Sequence, residues 1–170
     1  MKRLLALLPL AALAVLAVVF AGWSLKRDPH VQPHALVGKP APATALATLD
    51  GGPPVTAREG ADGPYLINFF ASWCGPCIVE HPTLMALKDQ GVRIVGVAYK
   101  DTPANANAFL AKRGNPFALT LNDNEGRAGI DYGITGVPET YLVGSDGVII
   151  DKVSAPITVE DAQKLLRKAR

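Results

Sequence analysis

The sequence predicts an α/β domain with a central mixed β-sheet and helices on both faces. Three observations predict it. Short apolar or β-branched runs alternate with helical segments, the pattern of crossover-connected parallel strands. Two such runs near the C-terminus are separated only by Gly144-Ser145-Asp146-Gly147, which reads as a hairpin and makes the sheet mixed. The 170 residues are 49 % hydrophobic and 19 % charged, enough for a real core and too apolar for wholesale disorder.

The chain opens with an uncharged run from Leu4 to Trp23, mostly Leu, Ala and Val. As a helix it spans roughly 30 Å, the thickness of a bilayer core. Lys2 and Arg3 precede it and favour a cytoplasmic N-terminus; Lys26 and Arg27 come after it and weaken that bias. Two readings stand: an uncleaved signal anchor, or a signal peptide cleaved after Ala21. Either exports the remainder of the chain. The division expected is an anchor over 1–24, a linker over 25–36 carrying Pro29 and Pro33, and a folded domain over 37–170.

Gly38 to Pro54 is rich in Pro, Gly and Ala and predicts irregular structure with one or two short strands. Tyr65 to Ala71 is a short apolar run, a buried strand. Cys77 to Gln90 reads as a helix carrying Pro82. Val92 to Tyr99 is β-branched and reads as a strand. Asp101-Thr102-Pro103 supplies a cap and a first-turn proline for a helix to about Lys112. Phe117 to Leu121 is a short strand, with a short helix after it. Thr140 to Val143 and Val148 to Val153 flank the hairpin turn. Thr158 caps a last helix, with Asp161 completing a weak capping box.

Charge narrows the function classes. Lys plus Arg number 17 and Asp plus Glu 15. Setting aside Lys2 and Arg3, the rest is balanced, so nucleic acid is not an expected partner. Two cysteines cannot make a disulfide-stapled scaffold or a four-cysteine zinc site.

Those cysteines carry the chemistry. Trp73-Cys74-Gly75-Pro76-Cys77 comes directly after a buried strand and opens a helix. Unpaired N–H groups and the dipole at a helix N-terminus favour a thiolate. Cys74, nearer the helix start, is expected to be exposed and to attack a substrate disulfide. Cys77, one turn in, is expected to be more buried and to resolve the mixed disulfide. A purely structural disulfide here closes too small a loop to constrain much. A metal site of Cys74, Cys77 and His81 has only three ligands. Ile78 stands where haem attachment requires His.

At these residues the chain resembles the thioredoxin superfamily. Pro82 stands five residues after Cys77, where that family carries a helix proline. Val137-Pro138 precedes a strand, where it places a cis-proline loop facing the cysteines. Gly126 to Gly133 and then Gly136-Val137-Pro138-Glu139-Thr140 resemble the DsbE/CcmG branch, the membrane-anchored thiol:disulfide interchange proteins of cytochrome c maturation. Ala71 to Cys74 and Cys77 to Pro82 are similar to it too. The resemblance covers about Val37 to Arg170.

The resemblance implies a thioredoxin-like fold and a periplasmic, inner-membrane reductase. Its substrates would be the haem-binding cysteines of apocytochrome c or a haem-ligation thiol protein. Its electrons would come from a membrane donor of the DsbD/CcdA kind. The groove would comprise Trp73, Gly75, Pro76, Val137 and Pro138. No cofactor is expected beyond the redox-active Cys74–Cys77 pair, and a monomer is expected. A general periplasmic reductase of the TlpA/ResA kind and a non-catalytic peptide-binding module are the alternatives.

The sequence departs from classical thioredoxins at Asn68, which stands where they carry a buried Asp that moves the second cysteine's proton. Two acids are candidates to replace it. Glu80 is three residues after Cys77 and shares its helix face; Glu139 comes directly after Pro138. His81 is expected to pack or face solvent, and Trp73 to cover the disulfide. Gly75 and Pro76 add no charge, so the potential is expected nearer the about −270 mV of thioredoxin than the about −120 mV of DsbA.

Overall fold

The computed structural model describes residues 11–20, 22 and 36–169. The chain divides into two units, Met1–Pro33 and His34–Arg170. In the first, residues 11–20 are helical and their side chains are exposed. Among the described residues no helix is long and apolar enough to cross a membrane. The rest of the expected anchor, and all but residue 36 of the expected linker, lie outside the described residues.

Among the described residues the second unit carries nine elements, in the expected order. They are β1 (Tyr65–Phe70), α1 (Gly75–Asp89), β2 (Ile94–Tyr99), α2 (Pro103–Arg113), β3 (Leu119–Asp123), α3 (Arg127–Tyr132), β4 (Glu139–Val143), β5 (Ile149–Val153) and α4 (Val159–Lys168). The sheet order is β3-β2-β1-β4-β5. β1, β2 and β3 run parallel, while β4 is antiparallel to both β1 and β5. The crossovers through α1 and α2 step the same way along the sheet. Right-handed crossovers therefore place both helices on one face.

Strand alternation divides the core. Leu66, Phe70, Ile94, Ala98 and Leu142 face α1, α2 and α4, meeting Leu84, Leu87, Phe109 and Leu165. Ile67, Phe69, Val95, Val97 and Tyr141 face the other way, meeting Ala128 and Tyr132 of α3 and Leu46 and Ala57 of the preceding segment. Helices on both faces are thus observed.

Three of the differences from expectation have a local reason. Phe117 is not in a strand. Its N–H bonds Asn115 Oδ1, and its ring lies 4.8 Å from that of Phe70. A Cβ at Gly96 would sit 2.5 Å from that ring, so glycine is required there and β3 starts two residues later. The stretch from 38 to 54 forms isolated bridges, among them Leu46 with Val55 and Thr48 with Leu121, rather than strands. α1 begins at Gly75, because Cys74 itself is the cap and Pro76 fits the first turn. At the C-terminus Thr158 and Asp161 make both bonds of the capping box.

Candidate active site

The strand β1 ends at Phe70, and Ala71 to Trp73 turn the chain into α1. Cys74 is the N-cap, and its Sγ accepts the Cys77 N–H at 3.1 Å. Cys74 and Cys77 are joined as a disulfide. The helix N-terminus therefore points an unpaired donor at the sulfur that would carry the thiolate charge.

The loop before β4 closes on this sulfur from the other side. Val137-Pro138 is a cis peptide, as the resemblance implied, and the Val137 carbonyl oxygen lies 3.4 Å from Cys74 Sγ. Cys74 is consequently only 3 % exposed, against 2 % for Cys77. The expected contrast between an exposed and a buried cysteine is absent: the disulfide ties Cys74 to Cys77, and the Val137 carbonyl covers it. The exposed part is the rim. Trp73 is 60 % and Val79 72 % exposed, and Gly75, Pro76 and Ile78 lie between them at the surface.

Trp73, next to Cys74 in the chain, is tethered to the loop after β2. Its Nε1–H donates to the Lys100 carbonyl at 3.1 Å. The next residue, Asp101, is buried. Its carboxylate accepts the N–H of Ser72 at 2.6 Å and of Thr102 at 2.8 Å. So the loop after β2 braces the cysteine loop at two points. The sequence suggested Asp101 only as a helix cap; Thr102 is the N-cap, accepting from the Asn105 N–H.

A buried polar cluster gathers around Glu80, three residues after Cys77 in α1. Asn68 on β1 pairs in register with Thr140 on β4. Asn68 Nδ2 donates to Thr140 Oγ1 at 3.0 Å and to Glu80 Oε1 at 2.8 Å. The Ile157 N–H donates to Glu80 Oε2 at 2.9 Å. Asn68 Oδ1 is buried and has no partner among the described residues. Glu80 sits one turn beyond Cys77 in α1, and burial pushes its carboxyl up to about 7, against the two hydrogen bonds that favour the charged form. A carboxyl so poised exchanges a proton near neutral pH.

Glu139 is placed differently. It pairs in register with Phe69, so it faces the sheet side opposite Asn68 and Thr140. Its oxygens contact Thr135, Tyr141 and Lys152. Adjacency to Pro138 suggested a place at the cysteines, but strand alternation turns the side chain under the loop instead. His81 is buried, with Nε2 3.0 Å from the Gly114 carbonyl oxygen and its ring edge-on to Phe109. Burial lowers its pKa. It packs, as expected, and does not join the cysteines. Among the described residues no group of three or more His, Cys, Asp or Glu side chains could hold a metal ion.

Residues 36–166 match the redoxin family model. The chain belongs to the redoxin family. Within it, the chain is 43 % identical over 161 residues to thiol:disulfide interchange protein HelX of Rhodobacter capsulatus, covering 93 % of this chain and 90 % of that one. It is 40 % identical over 156 residues to thiol:disulfide interchange protein DsbE of Escherichia coli, covering 88 % and 84 %. It is therefore a member of this DsbE/HelX group. A thioredoxin-family thiol:disulfide interchange protein of Chlorobium tepidum superposes with a TM-score of 0.63 at 27 % identity, over 76 % of this chain and 94 % of that one. A secreted disulfide oxidoreductase of Mycobacterium tuberculosis shares the fold at a TM-score of 0.65 and 22 % identity, over 74 % and 95 %. The fold is thioredoxin-like, and this redoxin is a protein-disulfide oxidoreductase using Cys74 and Cys77.

Proposed function

We propose that this redoxin works as a reductant of disulfides in cytochrome c maturation, held at the outer face of the inner membrane by its N-terminal run. The observation that carries the reading is the Cys74–Cys77 pair at the start of α1, with the Val137 carbonyl against Cys74 Sγ. That carbonyl and the exposed rim of Trp73 and Val79 suit an extended chain bringing its disulfide to Cys74. Membership of the DsbE/HelX group supports the choice of process. The reducing equivalents come from a membrane thiol donor, and no cofactor is needed beyond the cysteine pair.

In the reduced protein the Cys74 thiolate attacks one sulfur of the substrate disulfide. A mixed disulfide forms, and the other substrate sulfur leaves as a thiolate that takes a proton from water. Glu80 accepts the Cys77 proton. The Cys77 thiolate then attacks Cys74 Sγ and displaces the second substrate sulfur as a thiolate, which takes the proton held by Glu80, leaving the Cys74–Cys77 disulfide. Two electrons have passed to the substrate. Glu139 is not assigned a proton-transfer role: its oxygens bond Thr135, Tyr141 and Lys152, and it faces the side of the sheet opposite Asn68 and Thr140.

The test is a Cys77→Ser chain expressed in its host. Without the resolving thiol, Cys74 holds its substrate as a stable mixed disulfide. Apocytochromes c or haem-ligation thiol proteins among the captured species, identified by mass, are the expected result. A broad unrelated set would assign a general exported reductase instead.

A further inference from the structure

Lys152 lies on β5, an edge strand of the sheet. Edge lysines ordinarily point to water and discourage strand pairing. Lys152 does otherwise. Its side chain is 7 % exposed, and its Nζ lies 2.7 Å from Glu139 Oε2, whose side chain is 2 % exposed. The register explains the meeting. Lys152 pairs with Tyr141 across the strands, and Tyr141 is two residues from Glu139, so all three share one face. Lys152 Nζ lies 5.2 Å from the Tyr141 ring centroid. The Tyr141 hydroxyl is 2.9 Å from the Tyr132 carbonyl oxygen at the end of α3 and 3.1 Å from Glu139 Oε2.

The other oxygen of Glu139 holds the groove loop. Oε1 accepts from the Thr135 N–H at 3.0 Å and from its hydroxyl at 3.1 Å. Thr135 and Glu139 bracket Gly136, Val137 and Pro138. One carboxylate thus closes a short ring around the segment whose Val137 carbonyl touches Cys74. A charge this deep is tolerated only with a counter-charge and filled hydrogen bonds. Among the described residues Lys152 is the one ion-pair partner of Glu139.

We propose that Lys152 is a positioning residue for disulfide exchange: by neutralising Glu139 it fixes the Thr135–Glu139 loop where an extended substrate chain lies across the cysteines. The proposal rests on the peptide-disulfide reading above and deepens it. It concerns the seating of the substrate chain and leaves the thiol chemistry untouched. A small disulfide that needs no groove does not sense Lys152.

The test compares the full chain with Lys152→Met and with the double variant Lys152→Met/Glu139→Gln. The amide introduced by Glu139→Gln accepts from Thr135 through its oxygen and donates to the Tyr141 hydroxyl through its nitrogen, so it needs no cation. Two readouts are taken: hydrogen exchange at the Thr135 amide, and kinetics on a cystine-bridged peptide and on bis(2-hydroxyethyl) disulfide. Lys152→Met is expected to raise Thr135 exchange and peptide KM by about tenfold, with kcat on the small disulfide within about twofold. The double variant is expected to restore both. Wild-type Thr135 exchange and peptide KM in Lys152→Met overturn the proposal, as does a double variant no better than the single one. Should Lys152→Met fail to fold, the double decides: a protected Thr135 amide supports the counter-charge role, and an unprotected one overturns it. A wild-type chain that reduces the small disulfide but not the peptide sinks the peptide reading, while Thr135 exchange still judges Lys152.

Discussion

Glu80 and Glu139 are both about 1 % exposed, and they lie on opposite faces of the same sheet. Each has both carboxylate oxygens hydrogen-bonded. They differ in the groups that supply those bonds. Glu80 has an amide side chain and a backbone N–H, both neutral. Glu139 has Lys152. Without a counter-charge, burial raises Glu80 to about 7, so it titrates near neutral pH one turn from Cys77. With a counter-charge, Glu139 serves as a fixed acceptor for Thr135. The same residue type is thus left to titrate near neutral pH on one face and is tied to a loop on the other.

The largest effect expected is on the charged side. Removing the partner of a buried ion pair costs about 3–5 kcal/mol, so Lys152→Met should lower the unfolding free energy by that much. Adding Glu139→Gln should recover most of it. A cost below about 1 kcal/mol in urea unfolding would place the pair among weak surface bridges and break the contrast.

The neutral side gives the next effect, with a defined sign. The folded-state pKa of Glu80 is raised from 4.5 to about 7, so between those values the folded chain holds a proton that the unfolded chain has lost. Stability attributable to this group therefore falls as pH rises through that window and stays low above it. Glu80→Gln removes the dependence. It should match wild type near pH 4 and exceed it at pH 8 by about 3 kcal/mol, measured on the oxidised protein. The same variant should flatten the pH profile of mixed-disulfide resolution near pH 7. A wild-type profile in Glu80→Gln would remove Glu80 from the proton path.

The range of a contact along the chain decides how legible it is in the sequence. The element order, the helix start at the cysteines and the Thr158–Asp161 box are short-range patterns, and all are present. The helical spacing from Cys77 to Glu80 places them on one face. The burial of Glu80 is not legible, because it depends on Ile157, which is 77 residues away in the chain. The orientation of Glu139 escapes a local reading because nearness to Pro138 says nothing of the strand face; the pairing with Phe69 sets it. Lys152 stays invisible because a lysine on an edge strand ordinarily faces water. Asp101 reads as a cap in its own segment, and only the fold brings it to Ser72.

Smaller substitutions sharpen the contrast at the neutral cluster. Thr140→Val keeps the side-chain shape and removes the oxygen that accepts from Asn68. Among the described residues Asn68 Oδ1 already lacks a partner, so a second unpaired group is added in the same buried place. The cost should be about 1–3 kcal/mol in unfolding free energy.

Trp73→Phe is the smallest. It keeps an aromatic ring beside the cysteines and loses only the bond from Nε1 to the Lys100 carbonyl. That residue is 60 % exposed, so water replaces the lost partner and stability should change by at most about 0.5 kcal/mol. The two losses are one hydrogen bond each. If they cost the same, burial does not govern the polar contacts of this site, and the distinction drawn between Glu80 and Glu139 loses its physical basis.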